Sequence, residues 1–372
     1  MKKAIAIFSV CILVLAGVFF SIYFGTDTER SNVAETYSIP HESEEHEGTW
    51  LIWPHQYTYG LEYRNEIEPI WISMTQALVS GEKVHIIAYN EEERERIEEV
   101  LADHQIDMTN IDFTIAESDD VWVRDTGPIF AFDENNDLTI LNFAFNGWGK
   151  KTPYQKDDDI PLSVSKDRNI KIETISDVVI EGGAIESDGA GTLMACRSSV
   201  ISPNRNPGMS QEEMEKILQQ YTGASNFIWL DGVTGEDITD AHIDGIARFY
   251  DKNTLLTVSK DDFLNLHENI SEEDYKVLQS ARNADGEKYQ IVEFPLTKNN
   301  VKGLDYKGSY LNFYIGNEVV LLPVYQDSND DKAIEILQEL YPDREVVPID
   351  VTALYQYGGM LHCVTQQQPA SR

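Results

Sequence analysis

The sequence predicts an α/β fold that forms one continuous domain. Segments with apolar residues at helical spacing alternate with short runs rich in β-branched residues, which is the pattern of helices interleaved with strands. The chain has 372 residues, of which 42% are hydrophobic, enough for one large domain or two ordinary ones. Because no Pro/Gly/Ser-rich break and no low-complexity tract interrupts residues 39–369, a single domain over that range is the simplest interpretation.

The predicted helices have apolar residues at i, i+3 and i+4, and the predicted strands are short apolar runs such as VHIIAY. The first elements in chain order are a helix over 67–79, a strand over 84–89, a helix over 91–102 and a strand over 138–143. The next are a helix over 211–221, strands over 227–230 and 255–258, and a helix over 272–282. The last are a strand over 319–322, a helix over 331–340 and a strand over 345–349. Capping-box spacing supports two helix starts, through Ser210 with Glu213 and Ser271 with Asp274.

The charge of the chain is strongly acidic, with 29 basic and 64 acidic residues and a formal net charge of −35. This balance disfavours a nucleic-acid partner, because phosphate binding requires clustered lysine and arginine. A negative field attracts and concentrates a cationic substrate. The alternative is that the acidity only keeps the protein soluble.

The N-terminal segment differs in composition from the rest of the chain. Lys2 and Lys3 precede an apolar run over residues 4–24, after which the sequence becomes polar at once. The run is longer than a typical signal-peptide core, is close to the ~20 residues that span a bilayer, and is followed by no A-x-A-like cleavage site. Residues 1–30 are therefore predicted to be a signal-anchor with its linker, or alternatively a cleaved signal peptide. Either one predicts an extracytoplasmic protein, membrane-anchored or secreted. The oligomeric state stays open, with a homo-oligomer among the alternatives.

Cysteine is rare in this chain. Cys11 lies in the apolar run, which leaves Cys196 and Cys363 in a long soluble part, and two thiols do not predict a disulfide framework. Cys363 follows His362 in GGMLHCVTQQQP, where a thiolate would be a nucleophile. The alternative for Cys363 is a small buried hydrophobic residue. Neighbouring side chains on an extended segment point to opposite faces, so His362 is predicted to be packed or hydrogen-bonded rather than paired with Cys363.

Five polar stretches interrupt the apolar pattern and mix glycine or proline with charged residues, as loops at strand ends do. They are residues 118–128, 181–189, 202–207, 237–249 and 358–363. Within AHIDG, the i, i+2 spacing of His242 and Asp244 places both side chains on one face of a predicted strand. A histidine can move protons near neutral pH, and an aspartate beside it can hold a cation. The alternatives are an ordinary surface pair and a metal site, and no further histidine or cysteine lies nearby to complete the latter.

Acidic residues in two other stretches suit a guanidinium ligand. Asp125 follows Arg124 and Glu181 precedes a Gly-Gly pair, and a carboxylate accepts the fixed N–H fork of a guanidinium. Two aspartates and a glutamate around a thiol and an imidazole would support attack on a guanidinium carbon. Trp122 offers an aromatic face to a cation, although a core tryptophan is an equally good interpretation.

Together these motifs resemble the agmatine deiminase family, which includes the bacterial peptidylarginine deiminases. The resemblance extends from residues 39–55 to the C-terminal residues and rests on six motifs in the same order. They are WVRDTGP, EGGAIESDG, SPNRNP, EDITDAHIDGIARF, SYLNFYIGN and GGMLHCVTQQQP. It differs from the family pattern at Ala241, where glycine is usual, at Leu361, where isoleucine is common, and at LDYKG (304–308), which is expected to border the substrate tail.

The resemblance implies an α/β propeller, or pentein, of pseudo-symmetric ββαβ units around a central site. It implies that Cys363 is the nucleophile, that His242 is the general acid and base, and that Glu181 orients the histidine. Asp125 and Asp244 correspond to the guanidinium-binding carboxylates. The implied reaction converts agmatine to N-carbamoylputrescine and ammonia through an amidino-cysteine, without a metal or organic cofactor. Neighbouring cations are expected to keep the sulfur ionised, and Gly358 and Gly359 are expected to let the backbone approach the substrate.

Three alternatives accompany this interpretation. A peptidylarginine or free-arginine deiminase acting outside the cytoplasm would fit the predicted export, with an arginyl peptide as substrate. A non-catalytic surface-binding protein of the same fold is a second alternative. A papain-like protease is disfavoured, because its nucleophile precedes its histidine in the chain, the reverse of the order here.

Overall fold

The computed structural model describes residues 35–372. The segment predicted to be a signal-anchor or signal peptide, residues 1–30, lies outside the described residues. Across residues 35–372, no helix combines the length and the apolar character that crossing a membrane requires.

The described residues form strands and helices in alternation. The strands are β1 (Tyr37–Ser38), β2 (His46–Ile52), β3 (Lys83–Ala88), β4 (Ile111–Ile115), β5 (Ile129–Asp133), β6 (Leu138–Ala144), β7 (Lys171–Val179), β8 (Ile185–Ser187), β9 (Thr192–Cys196), β10 (Asn226–Leu230), β11 (Arg248–Asp251), β12 (Thr254–Val258), β13 (Gln290–Phe294), β14 (Leu296–Asn300), β15 (Lys307–Ser309), β16 (Tyr314–Ile315), β17 (Val319–Val324), β18 (Glu345–Asp350) and β19 (Gln366–Pro369). The helices are α1 (Gly60–Leu78), α2 (Glu91–Asp103), α3 (Val123–Thr126), α4 (Gln155–Asp158), α5 (Ile160–Arg168), α6 (Arg197–Val200), α7 (Gln211–Thr222), α8 (Lys260–Phe263), α9 (Glu272–Ser280), α10 (Asp330–Leu340) and α11 (Thr352–Tyr355). Short 3-10 turns lie at Met108–Asn110, Gly182–Ala184, Ile243–Gly245 and His362–Val364.

The same ββαβ unit recurs five times within residues 35–372. In each unit two strands pair antiparallel, a helix follows, and the next strand pairs parallel to the second. The units are β5-β6-α5-β7, β8-β9-α7-β10, β11-β12-α9-β13, β16-β17-α10-β18 and β19-β2-α1-β3. They are the blades of an α/β propeller, as the resemblance implied.

The fifth unit combines distant parts of the sequence. Strand β19 pairs antiparallel with β2, so residues 366–369 lie against residues 46–50. The three glutamines of this strand also bond through their side chains. Gln368 Oε1 accepts from Trp50 Nε1 over 2.9 Å, Gln367 Oε1 accepts from Arg124 over 2.8 Å, and Gln366 Nε2 donates to the carbonyl of Pro128 over 2.9 Å. The glutamine run therefore joins the closing strand to its neighbours on both sides.

The predicted elements are present in the structure. Each of the six predicted strands, and four of the five predicted helices, match observed bounds within two residues. The capping box at Ser210 and Glu213 is formed, and Ser271 caps α9 by accepting from Asp274 N–H. Helix α1 is the exception, since it begins at Gly60 rather than at residue 67. Its first two turns are mostly polar and exposed, so the apolar spacing that predicts a helix is absent there.

Candidate active site

Five side chains from four separate loops converge at one place in the fold. His242 Nε2 lies 2.7 Å from Glu181 Oε2, and His242 Nδ1 lies 3.6 Å from Asp125 Oδ1. Cys363 Sγ lies 3.9 Å from Asp244 Oδ2. The structure thus brings together the five residues that the resemblance selected, each from a turn or short helix next to a strand.

Gly183 lies at the centre of this convergence. A Cβ on Gly183 would lie 2.7 Å from His242 Nδ1, 2.8 Å from Asp125 Oδ1 and 3.1 Å from Asp244 Oδ2. The backbone N–H of Gly183 donates to Asp125 Oδ1 over 2.9 Å. The absence of a side chain at this glycine therefore allows the carboxylates and the imidazole to approach one another.

The prediction of a strand at residues 242–244 is wrong. His242 has extended backbone, and Ile243–Gly245 form a 3-10 turn. The preceding residues Asp240 and Ala241 have φ of 61° and 66°, in the left-handed region that residues with a Cβ rarely adopt. This backbone reversal, rather than strand alternation, brings His242 and Asp244 to one site. The glycine that is usual at the position of Ala241 suits that conformation without strain.

A buried arginine holds the carboxylate behind His242. Arg205 Nε donates to both oxygens of Glu181, over 2.8 and 3.0 Å, and Arg205 Nη1 donates to Asp240 over 2.6 Å. All three side chains are buried. Because a carboxylate is costly to bury without a partner, the pairing with Arg205 offsets the cost of burying Glu181 behind the imidazole. Arg205 lies in the predicted loop SPNRNP, and the sequence alone predicted no role for it.

His242 is held in its protonated form. Burial by itself would lower the pKa of His242, but the charge of Asp125 and the hydrogen bond to Glu181 outweigh it and raise the pKa to about 9. At neutral pH the imidazole is therefore an acid with a proton to give.

The surroundings of Cys363 favour its neutral form, whereas those of His242 favour its charged form. Its sulfur lies 3.4 Å from Asn312 Oδ1 and 3.9 Å from Asp244 Oδ2. Burial raises the pKa of the thiol well above its ordinary value, and the charges of Asp244 and Asp125 raise it further. The expectation that neighbouring cations keep the sulfur ionised is therefore wrong for the protein's own side chains, because the charges that act on the thiol are those of carboxylates.

His362 is bonded on both sides and does not pair with Cys363, as predicted. Its Nδ1 lies 2.7 Å from Asp244 Oδ2, and its Nε2 lies 2.7 Å from Glu42 Oε2. Glu42 in turn accepts from Arg248 over 3.0 Å. His362 separates from Cys363 because His362–Val364 is a 3-10 turn rather than an extended segment. Although burial raises it, the pKa of Asp244 is held below its ordinary value by the hydrogen bond and charge of His362.

A cavity of about 340 Å³ opens beside the sulfur. Cys363, Asp125, Trp122 and Trp148 line it at one end, and Asp120, Glu62 and the rings of Tyr59, Tyr63 and Tyr357 line it towards the surface. His242, Glu181 and Asp244 lie behind this lining. Residues 304–308, which were expected to border the substrate tail, do not line the cavity. Among the residues described, no group of three His, Cys, Asp or Glu side chains is arranged to hold a metal ion.

Gly359 approaches Trp122 rather than the substrate space. A Cβ at Gly359 would overlap the indole ring of Trp122. Trp122 is 7% exposed and also lines the cavity, so the core and the cation-facing interpretations both describe it. The expectation is corrected for Gly359, which lets the tryptophan pack against the loop that carries Cys363, whereas Gly358 does line the cavity.

Two further residues of the site were missed from sequence. Trp148 Nε1 donates to Asp125 Oδ2 over 2.9 Å, and Asn312 Oδ1 accepts from the backbone N–H of His362 over 3.1 Å. A tryptophan between two glycines in NGWGK and an asparagine inside the apolar SYLNFYIGN were the available signals.

Known proteins resemble this chain over most of its length. A family model described as Porphyromonas-type peptidyl-arginine deiminase matches residues 38–369. The agmatine deiminase of Pseudomonas aeruginosa strain LESB58 is 31% identical, in an alignment that covers 93% of this chain and 98% of that protein.

Solved structures share the fold. The agmatine deiminase of Enterococcus faecalis superposes with a TM-score of 0.81 at 23% identity, covering 91% of this chain and 99% of that one. A C. jejuni agmatine deiminase with substrate bound superposes with a TM-score of 0.79 at 24% identity, covering 91% and 98%. These two likenesses support the propeller architecture.

Replacing Gly359 with alanine should destabilise the protein. The added methyl group must displace Trp122 or the loop, which should lower the free energy of unfolding by about 1–3 kcal/mol. Chemical denaturation of Gly359→Ala measures this loss. Gly245→Ala is the matched control, because a Cβ there meets nothing within 4 Å. Equal stability of the two variants would contradict the packing role.

The stability conferred by His242 should depend on pH. The ordinary pKa is 6.5 and the folded value is about 9, so the charged imidazole stabilises the fold fully below pH 6.5. This contribution, on the order of 3 kcal/mol, is lost as the pH rises through about 9. Denaturation of the wild type and His242→Gln between pH 6 and pH 10 measures it. A stability difference that stays constant over this range would contradict the raised pKa.

Proposed function

The chain belongs to the Porphyromonas-type peptidyl-arginine deiminase family, and from that premise we propose that it hydrolyses agmatine to N-carbamoylputrescine and ammonia. Membership makes it a hydrolase of a C–N bond in a guanidine or amidine. The choice of agmatine rests on one observation, the charge of the cavity. Carboxylates lie at both of its ends, and no lysine or arginine is among its described lining residues.

The inner end of the cavity suits a guanidinium. Asp125 Oδ1 accepts one N–H from Gly183, and Asp125 Oδ2 accepts one from Trp148. Each oxygen therefore keeps a lone pair for a substrate N–H. The carboxylates of Asp125 and Asp244 both lie close to the position that a Cβ on Gly183 would take, and Asp244 Oδ2 lies 3.9 Å from the sulfur. A planar cation bound by both aspartates would present its central carbon to Cys363. Trp122 covers this space with an aromatic face.

The outer end suits a second cation. Tyr63 packs edge-on against both Tyr59 and Tyr357, with ring centroids 5.1 and 4.8 Å apart. Asp120 accepts from the hydroxyl of Tyr63 over 2.8 Å. An ammonium at the end of an alkyl chain would meet these rings and the carboxylates of Asp120 and Glu62. The carboxylate of free arginine would meet the same negative groups and be repelled.

The first half of the reaction follows from the pKa shifts. The protein's own groups favour the protonated thiol, and a bound guanidinium offsets the carboxylates and lowers the pKa of Cys363. The sulfur attacks the guanidinium carbon and forms the C–S bond. One C–N bond breaks as His242 gives its proton to the leaving nitrogen. The proton lost from sulfur also leaves with that nitrogen, so ammonia departs as ammonium, and a neutral His242 and an amidino-cysteine cation remain.

The second half returns the enzyme to its starting state. His242, now neutral, takes a proton from water, and the hydroxide oxygen adds to the amidine carbon. The C–S bond then breaks, and the ureido product leaves. The thiol recovers one proton, and the other restores the imidazolium. Glu181, fixed by Arg205, keeps the ring oriented through both steps.

A substrate panel on the full-length protein tests this proposal. Agmatine, free arginine and an arginyl peptide share the guanidine and differ only at the far end. We expect kcat/KM for agmatine to exceed that for arginine by roughly a hundredfold, since repulsion between like charges costs several kcal/mol. Ammonia release measures turnover, and Cys363→Ala should release none. Asp120→Asn should raise KM for agmatine about tenfold and lower the ratio of kcat/KM for agmatine to kcat/KM for arginine.

The outcomes of this panel separate the alternatives. Preference for the peptide would favour a peptidylarginine deiminase, which the family description and the predicted export support and which the exposed rings of Tyr59 and Tyr357 would accommodate at the mouth. Equal use of arginine and agmatine would contradict the role given to the outer end. If the protein with Cys363 intact released no ammonia from any guanidine, a non-catalytic binding protein of the same fold would be the remaining alternative.

We also propose that residues 1–30 are a signal-anchor and that the catalytic domain, residues 39–369, acts outside the cytoplasm. The support is the composition of the segment, two lysines followed by a long apolar run. Cell fractionation should recover the chain with the membranes, and protease added to cells without an outer barrier should digest it while a cytoplasmic marker survives. Recovery in the soluble cytoplasmic fraction would contradict this placement.

A further inference from the structure

The segment before α4 contains a left-handed turn. Residues 147–150 have φ of 69°, 53°, 85° and 66°, four consecutive positive values, and two of these residues, Trp148 and Lys150, carry a Cβ. Left-handed residues other than glycine are uncommon in proteins and occur singly rather than in runs. Hydrogen bonds from Lys150 N–H to the carbonyl of Asn146 and from Lys151 N–H to that of Gly147, both 2.8 Å, close the turn. A conformation this unfavourable persists only where its surroundings require it.

The surroundings hold the turn from two sides. Asn146 Oδ1 accepts from Gly149 N–H over 2.8 Å, and Asn146 Nδ2 donates to the carbonyl of Asn204 over 3.0 Å. Gly149 packs so closely on Asn204 that a Cβ would overlap its amide. Asn204 precedes Arg205, the residue that anchors Glu181. The turn is therefore tied to the same loop that supports His242.

The consequence of the turn is the position of one indole N–H. Trp148 is 2% exposed and donates from Nε1 to Asp125 Oδ2 over 2.9 Å, while Gly183 N–H donates to Asp125 Oδ1. One donor on each oxygen fixes the plane of the carboxylate. We infer that Trp148 is a positioning residue, which sets the orientation of Asp125 for the guanidinium, and that the left-handed turn serves to place its N–H. This inference rests on the proposed role of Asp125 in substrate binding.

The electrostatics of the site agree with this role. Burial raises the pKa of Asp125, the charges of Glu181 and Asp244 raise it further, and the charge of His242 and the hydrogen bond from Trp148 lower it. Cys363 lies nearby, and burial raises the pKa of its thiol and favours the neutral form. Loss of the indole N–H should therefore raise the pKa of Asp125 and favour its protonated form, which cannot hold a cation. Binding of agmatine should then be weaker at low pH.

Trp148→Phe tests the inference, because it keeps an aromatic ring and removes the donor. Agmatine binding is measured by calorimetry in the full-length Cys363→Ala protein, with and without Trp148→Phe. The dissociation constant should rise roughly ten- to a hundredfold, as expected for a hydrogen bond to a charged group. In the protein with Cys363 intact, the acid limb of the pH profile of kcat/KM should move to higher pH. If Trp148 only filled space, Trp148→Phe would change thermal stability and leave the acid limb of this profile unchanged.

Trp229→Phe is the matched control. Trp229 Nε1 donates to the carboxylate of Glu215 over 2.8 Å, outside the cavity, so its removal breaks the same kind of bond and should change neither measurement. Gly149→Ala is the second variant, in case Trp148→Phe does not fold. It must shift the turn without altering the indole, and should change binding and the acid limb in the same direction.

The outcomes distinguish this inference from the proposed function. Unchanged binding and an unmoved acid limb in Trp148→Phe overturn the role of Trp148. A wild type that binds agmatine but releases no ammonia overturns the proposed reaction, and the binding comparison still decides the role of Trp148. A Cys363→Ala protein that binds no agmatine overturns both.

Discussion

The burial of four carboxylates around one cysteine is the constraint that the rest of the site has to satisfy. Glu42, Asp125, Glu181 and Asp244 are each at most 7% exposed. A buried charge is tolerated only when it is paired and hydrogen-bonded. Arg205 pairs with Glu181, Arg248 pairs with Glu42, and His362 joins Glu42 to Asp244. Asp125 differs, because its close donors are two neutral N–H groups, with His242 farther away. In the proposed mechanism the guanidinium of the substrate pairs with Asp125.

The buried carboxylates act differently on the charges of His242 and Cys363. Asp125 and Asp244 raise the pKa of both His242 and Cys363, which favours a charged imidazole and a neutral thiol. A thiol in that state is a poor target for oxidants and alkylating agents, which react with thiolates. In the proposed mechanism, activation of Cys363 is confined to the time when a guanidinium lies in the cavity, so the sulfur is protected between turnovers.

The sequence predicted the parts of this structure that follow a local pattern. Apolar spacing located α7 and α10, and the alternation of helices with strands predicted the α/β class. The five-unit repeat was not visible, because units such as β8-β9 and β16-β17 use strands of two to six residues whose sequences differ. The motifs located Cys363, His242 and Asp125, but not the charges that support them. Arg248 and Glu42 lie 206 positions apart, and no local signal in the sequence predicts their contact. The backbone reversal at Ala241 and the turn around Trp148 were not predicted, because neither periodicity nor composition indicates a left-handed residue other than glycine.

The pairing of β2 with β19 links the nucleophile to the order in which the polypeptide is made. Trp50 and Gln368, which bond across this pair, are separated by 318 positions, and Cys363 lies only a few residues before the strand that completes the sheet. During translation β2 is synthesised early, and its antiparallel partner β19 follows only after the intervening blades. The pairing of β2 with β19 cannot form, and Cys363 cannot reach the carboxylates, until residues 363–369 have been synthesised. A nascent chain is therefore inert, and for this long-range topology slow closure is an expected feature of folding.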